Sequence, residues 1–264
     1  MFRIIIILLL LSPIMACEKE TIWKINPGES FLITDCIITN ELKKHELTVY
    51  WSSDSLNQPV EGFSGATVQI TDGIGIVTFT EDLGNKGRYI ANMAFRATVG
   101  RTYMLTISRE GNSDTAFATM TGVTPLGEIN IQPDGDYFSY IFNPAGAGYM
   151  LEVSYDWSDV PGFCELYGSC QALDVFYALN NIDPGKIFAP DKQKILFPHK
   201  TNIIRRKYSL SPEHQEFARS LLLETEWRGG IFDAEAGNVP TNFKNGMQGW
   251  FAVCMVVSDT TYFN

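Results

Sequence analysis

Apolar and polar residues alternate with a period of two in one short run after another, and that rhythm confines the chain to a mainly β fold. The runs Phe31–Thr39, His45–Ser53, Ala66–Thr71, Ile76–Thr80, Arg88–Ala91, Thr102–Ser108 and Thr115–Val123 follow each other with Gly, Asp or Asn at the joints. Alternation places every second side chain on one face of a strand, so each run can bury one face and wet the other. About seven such strands in some ninety residues predict an immunoglobulin-like or transthyretin-like β-sandwich over residues 30–123. Asp72-Gly73, between two of the runs, reads as a hairpin turn.

Thr124-Pro125-Leu126-Gly127 breaks the pattern and marks a junction. Residues 124–264 then read as a second β-rich domain, with strands at Tyr149–Trp157, Asp174–Leu179, Gln193–Phe197 and Asn202–Leu210. The period changes once, at Ser211-Pro212-Glu213, where an N-cap serine, a first-turn proline and an acid at the positive helix end predict a helix. Phe217, Ala218, Leu221 and Leu222 form its apolar stripe, and Arg228-Gly229-Gly230 ends it. The last run, Gly249–Ser258, is nearly continuous in apolar residues and is expected at the centre of a sheet.

The N-terminus carries an address. Arg3, the apolar run Ile4–Leu11 and then Ile14-Met15-Ala16-Cys17 have the order of a lipoprotein signal peptide, with residues 1–16 removed and Cys17 lipidated. The apolar run is too short to span a bilayer, which takes about 20 residues. Residues 17–29 read as a lipidated tether holding the chain on a membrane. The net charge of −10 disfavours nucleic acid, which needs a positive footprint.

An exported chain permits disulfides. Cys164 and Cys170, separated by five residues, are the candidate pair; Cys36 and Cys254 sit in strand-like runs and read as buried thiols. Pairing those two would require the N- and C-terminal thirds to touch. The chain contains no Cys-x-x-Cys pair and its three histidines, His45, His199 and His214, are scattered, so no metal and no cofactor are expected. Each histidine reads as a solvated surface residue. Asp134 and Asp136, like Asp156 and Asp159, read as turn acids rather than a hydrolytic pair or a calcium loop. No nucleophile elbow, metalloprotease helix or phosphate loop occurs, and catalysis is not expected.

Aromatic residues concentrate between Tyr149 and Tyr177, mostly as core. The exception is the segment Pro161–Cys170, which, if closed by its cysteines, reads as a stiff tip. Trp157, Phe163 and Tyr167 are the candidate contacts for a ligand or partner there, with Leu166 beside them. Arg205-Arg206-Lys207 is the densest basic cluster and reads as a solvated strand face.

Three stretches resemble the Bacteroidota outer-membrane lipoprotein family catalogued as domain of unknown function 4249: Ser64–Ala91, Val99–Ile107 and Trp227–Val253, the last with Pro240, Asn245-Gly246 and Gly249-Trp250-Phe251 in the family's order. The likeness spans nearly the whole chain after Cys17. It departs from the family at Thr34-Asp35, where Glu-Gly is usual, and in a compact middle region. The resemblance implies an N-terminal sandwich, a β-rich second domain, and an accessory role beside a TonB-dependent outer-membrane receptor. A surface lipoprotein binding a glycan or peptide through second-domain aromatics is the alternative expectation. The charged start Glu18-Lys19-Glu20 resembles surface-export signals and favours the cell-surface face over the periplasmic one.

Overall fold

The computed structural model describes residues 30–53, 59–109, 111–181, 183–228 and 239–264. The signal peptide, Cys17 and the tether lie outside the described residues, as do Gly229 and Gly230. The fold is mainly β, as the alternation predicts.

The first half gives seven strands: β1 (Leu32–Thr39), β2 (Glu46–Trp51), β3 (Thr67–Thr71), β4 (Ile76–Glu81), β5 (Arg88–Ala91), β6 (Thr102–Arg109) and β7 (Asn112–Thr119). Their inward residues are those picked out by the alternation. In β6, Tyr103, Leu105 and Ile107 are buried while Thr102, Met104 and Thr106 face out. The core they share is largely aliphatic, with Leu32, Ile38, Val49, Val68, Ile70 and Leu105 at its centre. The Asp72 carboxylate shapes the β3–β4 turn by accepting from the backbone N–H groups of Ile74 and Gly75, and Gly73 supplies the positive φ.

The second half begins with a hairpin, β8 (Ile131–Asp134) and β9 (Tyr137–Tyr140). It continues through β10 (Tyr149–Asp156), the short helix α1 (Pro161–Tyr167), β11 (Gln171–Ala178) and α2 (Pro184–Ile187). Next come β12 (Leu196–Phe197), β13 (Thr201–Ser209), α3 (Pro212–Glu224), β14 (Gln248–Cys254) and β15 (Val256–Phe263). A four-stranded sheet in the order β11-β10-β13-β15 packs its inner face on a three-stranded sheet, β12-β9-β8. This core is aromatic, built on Tyr149, Tyr155, Trp157, Phe163 and Phe197.

The final apolar run is two strands, not one, and it is not central. β14 takes an end position in the first sheet, order β14-β1-β2-β5-β4-β3-β6-β7, pairing parallel with β1. Its other flank meets the far end of the same sheet. Thr121 bridges to Cys254, Ala116 to Phe243, and the buried Asp114 carboxylate accepts from Met247 N at 3.1 Å. This near-closure, with α3 over it, explains why the whole strand is apolar. The division at residue 123 therefore follows chain order but not the sheets, because the last third returns to the first sheet. N- and C-terminal thirds do touch. Even so, Cys36 lies opposite Phe251 and Cys254 opposite Thr39, so both thiols stay unpaired and buried.

Gly249 makes the return fit. Its φ is +101°, and a Cβ there would lie 1.9 Å from the Thr34 carbonyl oxygen. Beyond it, Trp250, Ala252, Cys254 and Val256 share one face under α3, so the alternation passes unbroken through Met255 into β15. The two large sheets consequently run end to end along this strand. Leu32, opposite Trp51, begins one extremity, and the row Gln171, Asp156, Asn202 and Tyr262 forms the other.

Candidate functional site

The basic cluster lies at the seam between the two sheets, and it is not a solvated face. Arg205 and Lys207 point to the inner side of the second sheet and are buried. Arg205 grips the Asp259 carboxylate through both Nε and Nη2, and Nη2 also donates to Gly127 O at 2.9 Å. Lys207 Nζ donates to Thr124 Oγ1 at 2.8 Å and sits 4.0 Å over the Tyr149 ring. Burial pushes its pKa down, and the ring face offsets part of the lost hydration. Together they clamp the junction Thr124–Gly127. Arg206, on the outer side, donates to Glu41 at 2.7 Å and to Tyr208 Oη at 2.9 Å, and Tyr208 Oη donates to Glu152 at 2.6 Å. Burial alone would raise the Glu41 pKa, but hydrogen bonds from Arg206, Lys43 and Thr39 hold it at about 2. The cluster ties one half of the chain to the other.

The histidines divide. His199 is exposed beside Phe263, as expected of a surface residue. His45 is fully buried: its Nε2 faces Phe95 O at 3.2 Å, and among the described residues Nδ1 makes no hydrogen bond. Burial, with the nearby Lys43 charge, lowers its pKa to about 4. His214 is half-buried in the first turn of α3 and stacks on Trp250, and burial brings it to about 4 as well. The surface reading therefore fails at two of the three. Apolar neighbours from distant strands, invisible in local sequence, cover them.

The candidate contacts converge at the far end of the second sheet. Cys164 and Cys170 are disulfide-bonded, and the segment they close is the helix α1 rather than an irregular loop. Gly168 in the left-handed region ends that helix. Trp157 is only 3% exposed and donates from Nε1 to Ser169 O at 2.8 Å. Phe163 is buried against Trp157 and Tyr137. These two are the plug that fixes the tip, so neither offers a face to a ligand. Tyr167 is 47% exposed and Leu166 68% exposed, and they form the tip's outer surface.

Next to the tip is a feature the sequence reading missed. The outer face of the second sheet is covered by α3 only near the seam. Farther out, Leu173, Ser154, Ile204 and Thr260 form one row, and Gln171, Asp156, Asn202 and Tyr262 the next. Leu173 and Tyr262 are about half exposed, and a shallow groove of about 430 Å³ runs between β11 and β13. Asp156 holds the adjoining turn, accepting from Ser158 N and from Gln171 Nε2. The alternation in β11 could have signalled this bare face: Leu173 is apolar on the side where its neighbours Gln171 and Ser154 are polar. Asp134 accepts from Lys194 Nζ at 3.1 Å in the β8–β9 hairpin, a turn acid as expected.

The chain belongs to the family defined by the domain of unknown function DUF4249, whose model matches residues 19–260. That span takes in both sheets and the returning strand, so the end-to-end body is the family unit. No curated protein matches the chain.

Proposed function

We propose that this family member is a non-catalytic, lipid-anchored accessory protein of the outer membrane. Its N-terminal lipid on Cys17 holds it there, and it docks a TonB-dependent transporter through the far end of its second sheet. The observation carrying this reading is the polarity of the body. The first strand starts at one extremity, while the disulfide-closed tip and the half-bare sheet face occupy the other. A lipid on Cys17, ahead of the first strand in the chain, confines the protein near membrane partners and raises its effective concentration there. The tip is suited to recognition because its helix is pinned by the disulfide and by the Trp157–Phe163 plug. Little backbone freedom is then lost when Leu166 and Tyr167 are covered.

The test is a pull-down of the tagged full chain from gently solubilised outer membranes, with co-purifying proteins identified by mass spectrometry. The expected result is one TonB-dependent channel in stoichiometric yield. It should be lost with Leu173→Asp or Tyr167→Ala, while the far-ultraviolet spectrum is unchanged. A clean monomer from wild type overturns the reading, and so does a channel retained equally by both variants. Cys17→Ala should move the protein to the soluble fraction; retention in the membrane would overturn the anchor.

A further inference from the structure

The second sheet ends in two edge strands, β11 and β15, and the chain treats them differently. An edge strand turns alternate N–H and C=O groups away from its neighbour, ready to pair with another chain unless something covers them. Trp157 N donates to Cys170 O, which sets the phase of β11: its even-numbered residues bond β10 and its odd-numbered ones turn outward. Most of those outward groups are capped. Ser169 Oγ accepts from Gln171 N and donates to Gln171 O, and the Asp174 carboxylate accepts from Val175 N. Lys192 Nζ donates to Val175 O at 2.9 Å and Lys186 Nζ to Tyr177 O at 3.4 Å. Lysines at an edge are a common guard against strand addition.

β15 carries no such guard. Ser209 N donates to Met255 O, so the odd-numbered residues of β15 bond β13 and the even-numbered ones turn outward. Asn40 covers the first of these, accepting from Val256 N at 2.7 Å and donating to Val256 O at 3.3 Å. Beyond it, among the described residues, no strand pairs with Ser258, Thr260 or Tyr262 on that side, and all three are exposed. The strand holds no proline, lysine or glycine, and its threonines and tyrosine favour extended chain. Its one charged residue, Asp259, shares the inner side with Arg205, which holds it.

The open stretch is complementary to itself. Laid antiparallel on a second copy about Thr260, it sets Thr260 opposite Thr260, Ser258 opposite Tyr262 and Asp259 opposite Thr261. The outward N–H and C=O groups of Ser258, Thr260 and Tyr262 then all find partners, and the ladder stops at Val256, where Asn40 already closes the edge. Threonine opposite threonine is a favourable cross-strand pair, and no like charges meet. A contact in which one segment supplies both halves is the isologous interface of a two-fold dimer.

We propose that β15 is a dimerisation strand, pairing antiparallel with β15 of a second copy about Thr260. The four-stranded sheet then continues through the two-fold axis as one sheet. The rows of the outer face that end in Thr260 and Tyr262 run on into those of the second copy. The pairing rests on this edge alone and not on docking through Leu173 and Tyr167, which lie with β11 and the tip.

The test combines sedimentation and cysteine cross-linking of the full chain in detergent. Wild type should pass from one chain to two as concentration rises. Thr260→Cys should cross-link to itself under mild oxidation, because facing Cα atoms in a bonded antiparallel pair lie about 5.5 Å apart, within disulfide reach. Ser258→Cys should not exceed the wild-type background, because the two copies of that position stand more than about 13 Å apart in this register. The double variant Ser258→Cys/Tyr262→Cys should cross-link again. Thr260→Pro removes an N–H that bonds nothing within one chain, and Thr260→Lys sets like charges face to face. Each should hold the protein at one chain while the far-ultraviolet spectrum is unchanged. Wild type that stays at one chain up to its solubility limit overturns the pairing. So does Thr260→Cys without a cross-link, Ser258→Cys linking as strongly, or a dimer kept by Thr260→Lys. None of these outcomes bears on retention of a channel in the pull-down, so the two proposals fail separately.

Discussion

The two large sheets are built from the same alternating pattern and end in opposite conditions. The first folds its ends toward each other around an aliphatic core, and its last gap is filled by a strand from the far end of the chain. The second packs one face on aromatic residues and leaves half of the other bare. Aliphatic strands interdigitate closely enough to complete an enclosure. Large rings fill volume with few residues, and the second half achieves its core with a four-stranded sheet and a small hairpin layer. The difference teaches where recognition can reside. The closed sheet leaves little face bare, and the open one has surface to spare.

The comparison depends on β14 as the piece that completes the first sheet, so the largest expected effect comes from displacing it. In Gly249→Ala the new Cβ collides with backbone at Thr34, not with a movable side chain, and the φ of +101° is unfavourable to any L residue. The expected loss is about 4 kcal/mol, the range seen for failures of the core. Chemical denaturation should show it, with amide exchange quickening in β1 and β7 as well as in β14. A variant as stable as wild type would mean that the first sheet does not need its returning strand.

How much of this was legible in the sequence differs between the halves. In the first, every strand was found by period-two alternation, because each has one buried and one wet face. In the second, the hairpin Ile131–Asp134 and Tyr137–Tyr140 was missed. Its strands are four residues long and Pro133 interrupts one of them, too little for a period to register. The Gly249–Ser258 run was read as one central strand because apolar continuity reports burial on both faces but not who supplies the cover. The basic cluster lies in a strand, as the sequence implies, but not on a solvated face. Charge suggested solvent, and only the tertiary positions of Asp259, Gly127 and Tyr149 reveal the clamp. At the tip, the cysteine spacing suggested closure, but the indole of Trp157 turned inward to satisfy its N–H at Ser169.

Acid should sharpen the contrast by attacking the closed sheet first. His45 titrates near 4 when folded and near 6.5 when unfolded, so the unfolded chain binds the extra proton between those values. Its stabilising effect is complete above pH 6.5 and is lost as pH falls through 4. The expected decrease from this residue is roughly 3 kcal/mol between pH 7 and pH 4. His45→Leu, which cannot titrate, should flatten that slope in urea-melting midpoints taken across the range. An unchanged slope would place the acid sensitivity elsewhere, with His214 the next residue to replace.

The smallest effect concerns whether the closed and open sheets melt together. Glu41 belongs to the first half and Arg206 to the second, and both are partly exposed, so solvent screens the pair. A double-mutant cycle of Glu41→Gln and Arg206→Met should give a coupling of about 1 kcal/mol near neutral pH. The folded Glu41 pKa lies below its unfolded value, so this coupling is present above about 4.5 and fades as pH falls toward 2. A coupling indistinguishable from zero at pH 7 would leave the strand passing through Met255 and the clamp on Thr124–Gly127 as the joints between the sheets. A coupling of the expected size, fading as pH falls from about 4.5 toward 2, would mean that the two sheets melt together, joined through the chain of Glu41, Arg206, Tyr208 and Glu152.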